Sequence, residues 1–423
     1  MKDMRIETVM ARRVWDSRGR PTVEAEIALA GGATGRAIAP AGASRGSGEA
    51  ADLRDGGPAF GGLGVDAACR AVQEAIAPAL TGMAADDQAA VDRVMIGLDG
   101  TPNKARLGGN AMIAVSMAAA HAAAAGHGVP LWRYLAGDAP PRLPMPIIQI
   151  FGGGAHAGRR IDLQDIMAVP LSASSFDEAT IMIAEVYRAA GAIMAEAGLL
   201  RGVADEGGWW PEFASNKQAL DQTVRAIERA GYRPGDDVGI ALDVAATQFR
   251  EGDGYRLGAD RLFLRSDALV EMLAGWCRRY PIVSVEDPVA EDDDAGMAAF
   301  TRVVGGKILV VGDDYLVTSA ARVERAVALK ACNAALIKPN QAGTLTETRA
   351  AFDAAPQSGW RTIISARSGE TEDVTIVHLA VGWRSDQLKV GAFARSERMA
   401  KWNEALRIEA QLGGEVAFAA WLS

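Results

Sequence analysis

Six short apolar runs in the second half of this chain end in residues that could do chemistry together. IALDVA carries Asp243, IVSVEDP carries Glu286, ILVVGDD carries Asp313 and AALIKPN carries Lys338. RTIISARSGE follows with Arg367 and Ser368, and QLKVGA with Lys389. Three carboxylates with no His or Cys beside them make a hard oxygen donor set, suited to Mg²⁺ or Mn²⁺ rather than zinc. One Asp at the end of an apolar run is most often a helix N-cap or turn residue. Three in successive units, joined by lysines, point to a shared site. Lysine gives up its proton when burial or nearby cations lower its pKa, whereas arginine in practice does not. Only eight of the 44 Lys and Arg are Lys, so Lys338 and Lys389 suggest a base and a compact anion-binding charge. The alternative for them is a pair of surface lysines. Abstraction of a proton α to a carboxylate is the chemistry that uses such a set.

Further candidates lie outside these runs. VADEGG places Asp205 and Glu206 before a Gly pair, a candidate acid for a leaving hydroxyl or else a solvated loop. His156 sits in GGGAHAGRR with Arg159 and Arg160, where contact with an anion is plausible. GASRG at 42–46 matches the G-x-S-x-G pattern of a nucleophile elbow around Ser44. In a Gly- and Ala-rich chain a Gly-rich mobile loop is the better reading.

Positioning these residues needs a scaffold. Apolar runs occur at 145–150, 166–170, 238–243, 281–285, 308–311, 334–337, 362–365 and 387–390, mostly with helical patterns between them. Buried strands alternating with helices imply a parallel sheet, and this number fits a (β/α)₈ barrel, whose chemistry gathers at the C-terminal strand ends. A doubly wound sheet is the alternative, but its G-x-G-x-x-G turn is missing; GGLG and FGGG have the wrong spacing. Upstream, Thr22 to Ala30 alternates as a strand and Thr34 to Ala39 is its hairpin partner, with helical patterns at 64–80, 86–97 and 108–126. The fold class expected is therefore α/β. It comprises an N-terminal α+β unit over 1–137, with a loop at 40–48, and a barrel over 138–423 that opens on the Pro-rich DAPPRLPMP.

Bulk composition narrows the classes. At 423 residues, 49% hydrophobic and 23% charged, the chain has a globular profile. A net charge of −9 argues against a nucleic-acid groove or an anionic membrane surface as partner. The N-terminus shows no apolar signal region, and the Ala-rich run from Ala111 to Gly126 is too short to span a bilayer. Three widely spaced cysteines give neither a disulfide framework nor a CxxC metal site. A cytoplasmic location is the expectation.

With these residues in hand, the chain resembles the enolase family from end to end. The resemblance rests on DSRGRPTVE (16–24), AGASRGSGEAADLRD (41–55), LGGNAMIAVSMA (107–118), DEGG (205–208), LDVAATQF (242–249), SVEDP (284–288), LIKPNQAGTLTET (336–348), RSGETED (367–373) and RSERMAKWNEALRIE (395–409). It implies a capping domain on a barrel and a hydro-lyase in which a lysine base works beside Mg²⁺-stabilised ene-diolate chemistry, as in that superfamily. It implies that Asp243, Glu286 and Asp313 hold a structural Mg²⁺, that Lys338 is the base and that Glu206 is the acid. Lys389 would lie near the substrate carboxylate, and Arg367 and Ser368 at a phosphoryl group. Ser44 would be the lid serine that joins a second, substrate-dependent Mg²⁺. The partner would be a small phosphoryl or phosphonyl acid, and the assembly a homodimer or a set of dimers.

Departures from the family pattern are equally specific. The usual S-G-A-S-T-G lid reads Ala41-Gly42-Ala43-Ser44-Arg45-Gly46, the usual Q-E pair is Gln164–Asp165, and the usual S-H-R-S-G is Ser365-Ala366-Arg367-Ser368-Gly369. Trp209 and Trp210 follow DEGG, where a smaller pair is usual. Asp in place of Glu withdraws a carboxylate by one C–C bond, ~1.5 Å. Ala366 removes an imidazole, and Arg45 adds a cation to the lid. Changes confined to the substrate-facing shell suggest a larger or more anionic relative of 2-phosphoglycerate. The phosphonoformyl ester of glycerate, which yields carboxyphosphonoenolpyruvate in phosphonate and phosphinate antibiotic pathways, is one such substrate. Ordinary dehydration of 2-phosphoglycerate and a catalytically silent binding protein are the alternatives.

Overall fold

The computed structural model describes residues 3–421 except 44, 211 and 414–415, and of His156 the backbone only. The N-terminal part opens on an antiparallel meander of β1 (Ile6–Trp15), β2 (Pro21–Leu29) and β3 (Thr34–Ile38). The β2–β3 hairpin pairs Ala28 with Thr34 and Glu24 with Ile38, as the alternation predicts. One face of this sheet covers α1 (Gly109–His127), the Ala-rich helix, which is buried on nearly every side. Alanine suits that position because its small side chain lets backbones approach closely. At Gly35 the approach is closest: a Cβ there would lie 2.1 Å from the Ala122 nitrogen, so only glycine fits.

The second part is a closed eight-stranded barrel. Its strands are β4 (Met145–Gly152), β5 (Asp165–Pro170), β6 (Val238–Asp243), β7 (Ile282–Glu286), β8 (Leu309–Gly312), β9 (Ala334–Ile337), β10 (Arg361–Ser365) and β11 (Gln387–Gly391). All eight apolar runs of the sequence are therefore barrel strands. The expectation of a fully parallel sheet needs correction: β5 runs antiparallel to both β4 and β6, while the other pairs are parallel. Only Gly153 to Gln164 separates β4 from β5, with no long helix for a parallel crossover.

Side chains that alternate inward along the strands fill the barrel. Met145, Ile147, Met167, Val169, Ala241, Leu309, Val311, Ala334, Leu336 and Ile363 form its apolar interior. Two residues further toward the mouth, the same inward rows arrive at Gln149, Asp165, Asp243, Asp313 and Lys338. Because β5 is reversed, its row reaches the mouth at its N-terminal residue, Asp165, rather than at its C-terminus. Behind β11 lies α2 (Thr375–Gly382), buried throughout, and then α3 (Ser396–Leu412), with Arg398 and Lys401 fully buried on its inner face.

Candidate active site

Burial of the mouth's charges is tied to pairing. Lys389 reaches in from β11, its Nζ 2.8 Å from Glu286 Oε2, 3.0 Å from Asp243 Oδ2 and 3.7 Å from Asp165 Oδ2. Lys338 follows β9 and forms an ion pair with Asp313 Oδ2, whose Oδ1 accepts from Gln341 Nε2 at 2.9 Å. All six groups are less than a tenth exposed. The structure thus brings Asp243, Glu286, Asp313, Lys338 and Lys389 of the strand ends into one cluster, together with Asp165, which the sequence offered only through the family resemblance.

Local geometry holds the carboxylates in register. Asp287, next to Glu286, adopts a left-handed backbone (φ +41°). Its carboxylate accepts from the backbone N–H of Asp313 at 3.0 Å and of Asp314 at 2.7 Å, clamping the end of β7 to the turn after β8. Asp287, Asp313 and Asp314 offer oxygens within 4.8 Å of one another, a grouping that the sequence reading did not single out. Two backbone donors already engage Asp287, so we assign it to holding the turn.

Electrostatics follow from this crowding. Burial, then the Asp243 charge, pushes Glu286 well above the usual carboxylate range. Burial and Asp313 push Asp314 up to about 7. Burial acts the same way on Asp313, but the Lys338 ammonium outweighs it and holds that carboxyl low. Burial alone would lower both lysines, the direction expected from sequence. Instead the Asp313 carboxylate outweighs it at Lys338, and Asp243 with Glu286 outweighs it at Lys389, so both are held above the ordinary lysine value. That corrects the expectation of a pre-lowered base in the protein alone. The cluster contains more carboxylates than ammonium groups. Glu286 Oε1 is fully buried and accepts no hydrogen bond among the described residues. A surplus of buried anionic oxygen is costly without a cation, so the donor set fits a hard divalent ion.

A second group of contacts joins the end of β10 to the 40–48 loop. Arg367 Nη1 lies 2.8 Å from Glu49 Oε2 and 3.2 Å from Asn340 Oδ1, and this pairing holds the guanidinium firmly charged against its burial. Ser368 Oγ accepts from Ala43 N–H at 2.6 Å. Ala41 and Gly369 exchange backbone hydrogen bonds of 2.9 and 2.8 Å, and Ser47 N–H donates to Glu291 Oε2 at 3.0 Å. Ala41 and Ala43 are therefore hydrogen-bonded to the segment after β10 that carries Arg367, and Ser47 to the loop after β7. From below, buried Arg398 donates to the carbonyls of Arg367 (2.7 Å), Ser368 (2.5 Å) and Val390 (2.9 Å). Arg45 turns aside, donating to the Ala50 carbonyl at 2.8 Å. Ser44 lies outside the described residues, as does the side chain of His156.

On the opposite side, Gln164 Nε2 donates to Asp243 Oδ2 at 2.9 Å, and Gln248 donates to Gln164 Oε1. Glu206 is buried, and its backbone carbonyl accepts from Ala392 N–H at 2.8 Å. The next residue, Gly207, has φ +88°, and a Cβ there would meet the Ala394 carbonyl at 2.3 Å, so the turn requires glycine. Trp209 stacks on Tyr187 with ring centroids 4.7 Å apart, and Trp210 Nε1 donates to the Ala157 carbonyl at 2.6 Å. The tryptophan pair thus ties the Glu206 loop to the body and to the His156 loop. Arg160 stacks on Trp210 at 4.6 Å. Glu49, Gln149, Gln248 and Gln341 escaped the sequence reading: Gln149 is a polar residue inside an apolar run and the others lie outside the strands, so only their contacts give them meaning.

The barrel mouth thus joins acidic oxygen donors to two buried lysines. A family model described as the enolase N-terminal domain matches residues 6–135, and one described as the enolase C-terminal TIM barrel domain matches residues 141–421. A curated relative, Enolase 1 of Desulfitobacterium hafniense (strain Y51), is 48% identical over 421 residues, covering 99% of this chain and 96% of the relative. The chain belongs to the enolase family and is a carbon–oxygen lyase. Among the described residues, no helix is long and apolar enough to cross a membrane.

Proposed function

We propose that the chain eliminates water from a 2-phosphoglycerate-like acid, and that its own substrate is the enlarged phosphonoformyl ester of glycerate, giving carboxyphosphonoenolpyruvate. Lys338 takes the C2 proton on Nζ. The C2–H electron pair becomes the C2=C3 bond as the C3–O bond breaks, and Glu206 delivers the proton that lets hydroxide leave as water. Asp165 and His156 act beside Glu206 on the leaving-group side. Lys389 faces the substrate carboxylate, and Arg367 with Ser368 receives the phosphoryl or phosphonyl end, with Arg45 and Gln164 at its margins. Asp243, Glu286 and Asp313 would hold one Mg²⁺, and Ser44 would join a second, substrate-dependent one. Bound there, Mg²⁺ supplies positive charge against the substrate carboxylate and against the carboxylates that otherwise keep Lys338 protonated.

The observation that carries the enlarged substrate is Ala366. It is buried at the end of β10, next to Arg367, and puts a methyl where the family pattern places an imidazole. Steady-state turnover of both acids with Mg²⁺, beside an ordinary enolase, tests this reading. Phosphonoformyl-glycerate should be processed and 2-phosphoglycerate should turn over at least about tenfold below the control, ~1.4 kcal/mol in the barrier. Turnover of 2-phosphoglycerate within that margin establishes the ordinary reaction instead, with which identity to Enolase 1 is equally consistent. A folded, Mg²⁺-binding protein inert to both is a silent relative. If Ala366→His raised 2-phosphoglycerate turnover and left the analogue's rate unchanged, the steric argument would fail.

A further inference from the structure

Two acidic candidates on the leaving-group side come from unrelated elements, Asp165 from the start of β5 and Glu206 from the loop before Gly207. One side chain spans them. Gln149, on the inward row of β4 and 1% exposed, donates through Nε2 to Asp165 Oδ1. Through Oε1 it accepts from the Gly208 N–H at 2.7 Å. The amide orientation is determined, because a carboxylate only accepts from Nε2 and a backbone N–H only donates to Oε1. Nothing fits between the amide and the loop: a Cβ on residue 208 would lie 2.4 Å from Gln149 Oε1.

We propose that Gln149 is a positioning residue that sets the reach of Asp165, and that the two are matched in length. This inference rests on the elimination proposed above. Asp165 is one C–C bond shorter than the Glu of the family pattern, ~1.5 Å. Gln149 is one C–C bond longer than Asn, the other neutral amide. The sum of the two side chains fills the span from β4 to β5 with a donor meeting an acceptor, and the Gly208 contact transmits that spacing to the Glu206 loop. Lengthening the acid alone pushes its carboxylate toward Lys389, already 3.7 Å away. Shortening the amide alone leaves it one bond short of Asp165.

The test is a double-mutant cycle on the full-length enzyme with Mg²⁺ and whichever acid the wild type turns over. Gln149→Asn and Asp165→Glu should each lower kcat at least about tenfold, since ~1 Å of misplacement can cost ~10²-fold, with KM changed less than about threefold. The double variant should recover to within about threefold of wild type. Exchange of the C2 proton with D₂O, which needs Lys338 and no leaving group, should stay near wild type in Gln149→Asn. Gln149→Met keeps the length and removes the amide. It should lose elimination too, and Asp165→Glu added to it should recover nothing. Thermal unfolding of each variant identifies any that fails to fold, and the comparison is made among those that do. A double variant no faster than the product of its singles overturns the proposal, as does recovery in the Met background, which would mean packing alone. A wild type that neither exchanges nor eliminates overturns the elimination reading instead.

Discussion

Lys338 shows why residue type and residue state are separate questions. Its type and place were legible, since it ends an apolar run in a chain that otherwise prefers arginine. Its state was not, because the carboxylates that keep it charged come from other strands. Lys338→Ala should lower kcat by ~10²–10⁴, the range for a lost general base, and abolish C2 proton exchange in D₂O. Retained exchange would move the base elsewhere. Glu286→Gln tests the other half of the cluster. Its Oε1 is buried without a hydrogen-bond partner among the described residues, and replacing the charged donor should weaken Mg²⁺ binding by calorimetry at least about tenfold. Unchanged affinity would take Glu286 out of the metal set. Glu49 and Gln341 were illegible at this scale: each is a polar residue in a loop or short helix, and each acquires a role only by touching Arg367 or Asp313.

At the scale of elements, period-two alternation explains most of the site. The rows that fill the barrel with Ala241, Val311 and Leu336 continue outward to Asp243, Asp313 and Lys338. The strands could therefore be read as runs, and their ends as the site. The direction of β5 could not, because a short apolar run reads the same in either direction. The reversal is what brings Asp165, rather than Pro170, to the mouth. In the N-terminal sheet, close packing on α1 makes a sharper prediction. Gly35→Ala should destabilise the protein by about 2 kcal/mol or more, because the added methyl meets the Ala122 backbone rather than a side chain that can turn away. Denaturant unfolding measures it, and a cost below about 0.5 kcal/mol would mean that the sheet and helix can separate freely.

For the whole molecule, the joint between the N-terminal part and the barrel contains a histidine pair, His378 buried and His121 half-buried. His121 of α1 and His378 of α2 meet edge to face with centroids 6.1 Å apart. His121 Nε2 is 2.9 Å from Thr375 Oγ1, and His378 Nε2 is 3.6 Å from Glu404 Oε1. Burial, then His121, drops His378 to about 4, against the pull of Glu404 and Asp373, and burial lowers His121 as well. A depressed folded-state pKa means that the unfolded chain takes up the proton first. The pair's contribution to stability is therefore complete above the ordinary value of 6.5 and is lost as pH falls through about 4. Asp314, raised to about 7, contributes with the opposite sign, so the comparison must be between variants. Between pH 7 and pH 5 the wild type should therefore lose calorimetric Tm relative to His378→Leu, and an equal shift in both would exonerate the joint.

By itself the sequence determined the barrel, its eight strands and the residue types at its mouth, because burial periodicity and strand-end chemistry are local properties of a chain. Only the tertiary structure decided the direction of β5, the charge state of the two lysines, and the partnership of Gln149 with Asp165 and of Glu49 with Arg367. Each of those depends on distances between residues far apart in sequence, where a shift of an ångström changes a hydrogen bond or a Coulomb energy and leaves the pattern of letters untouched.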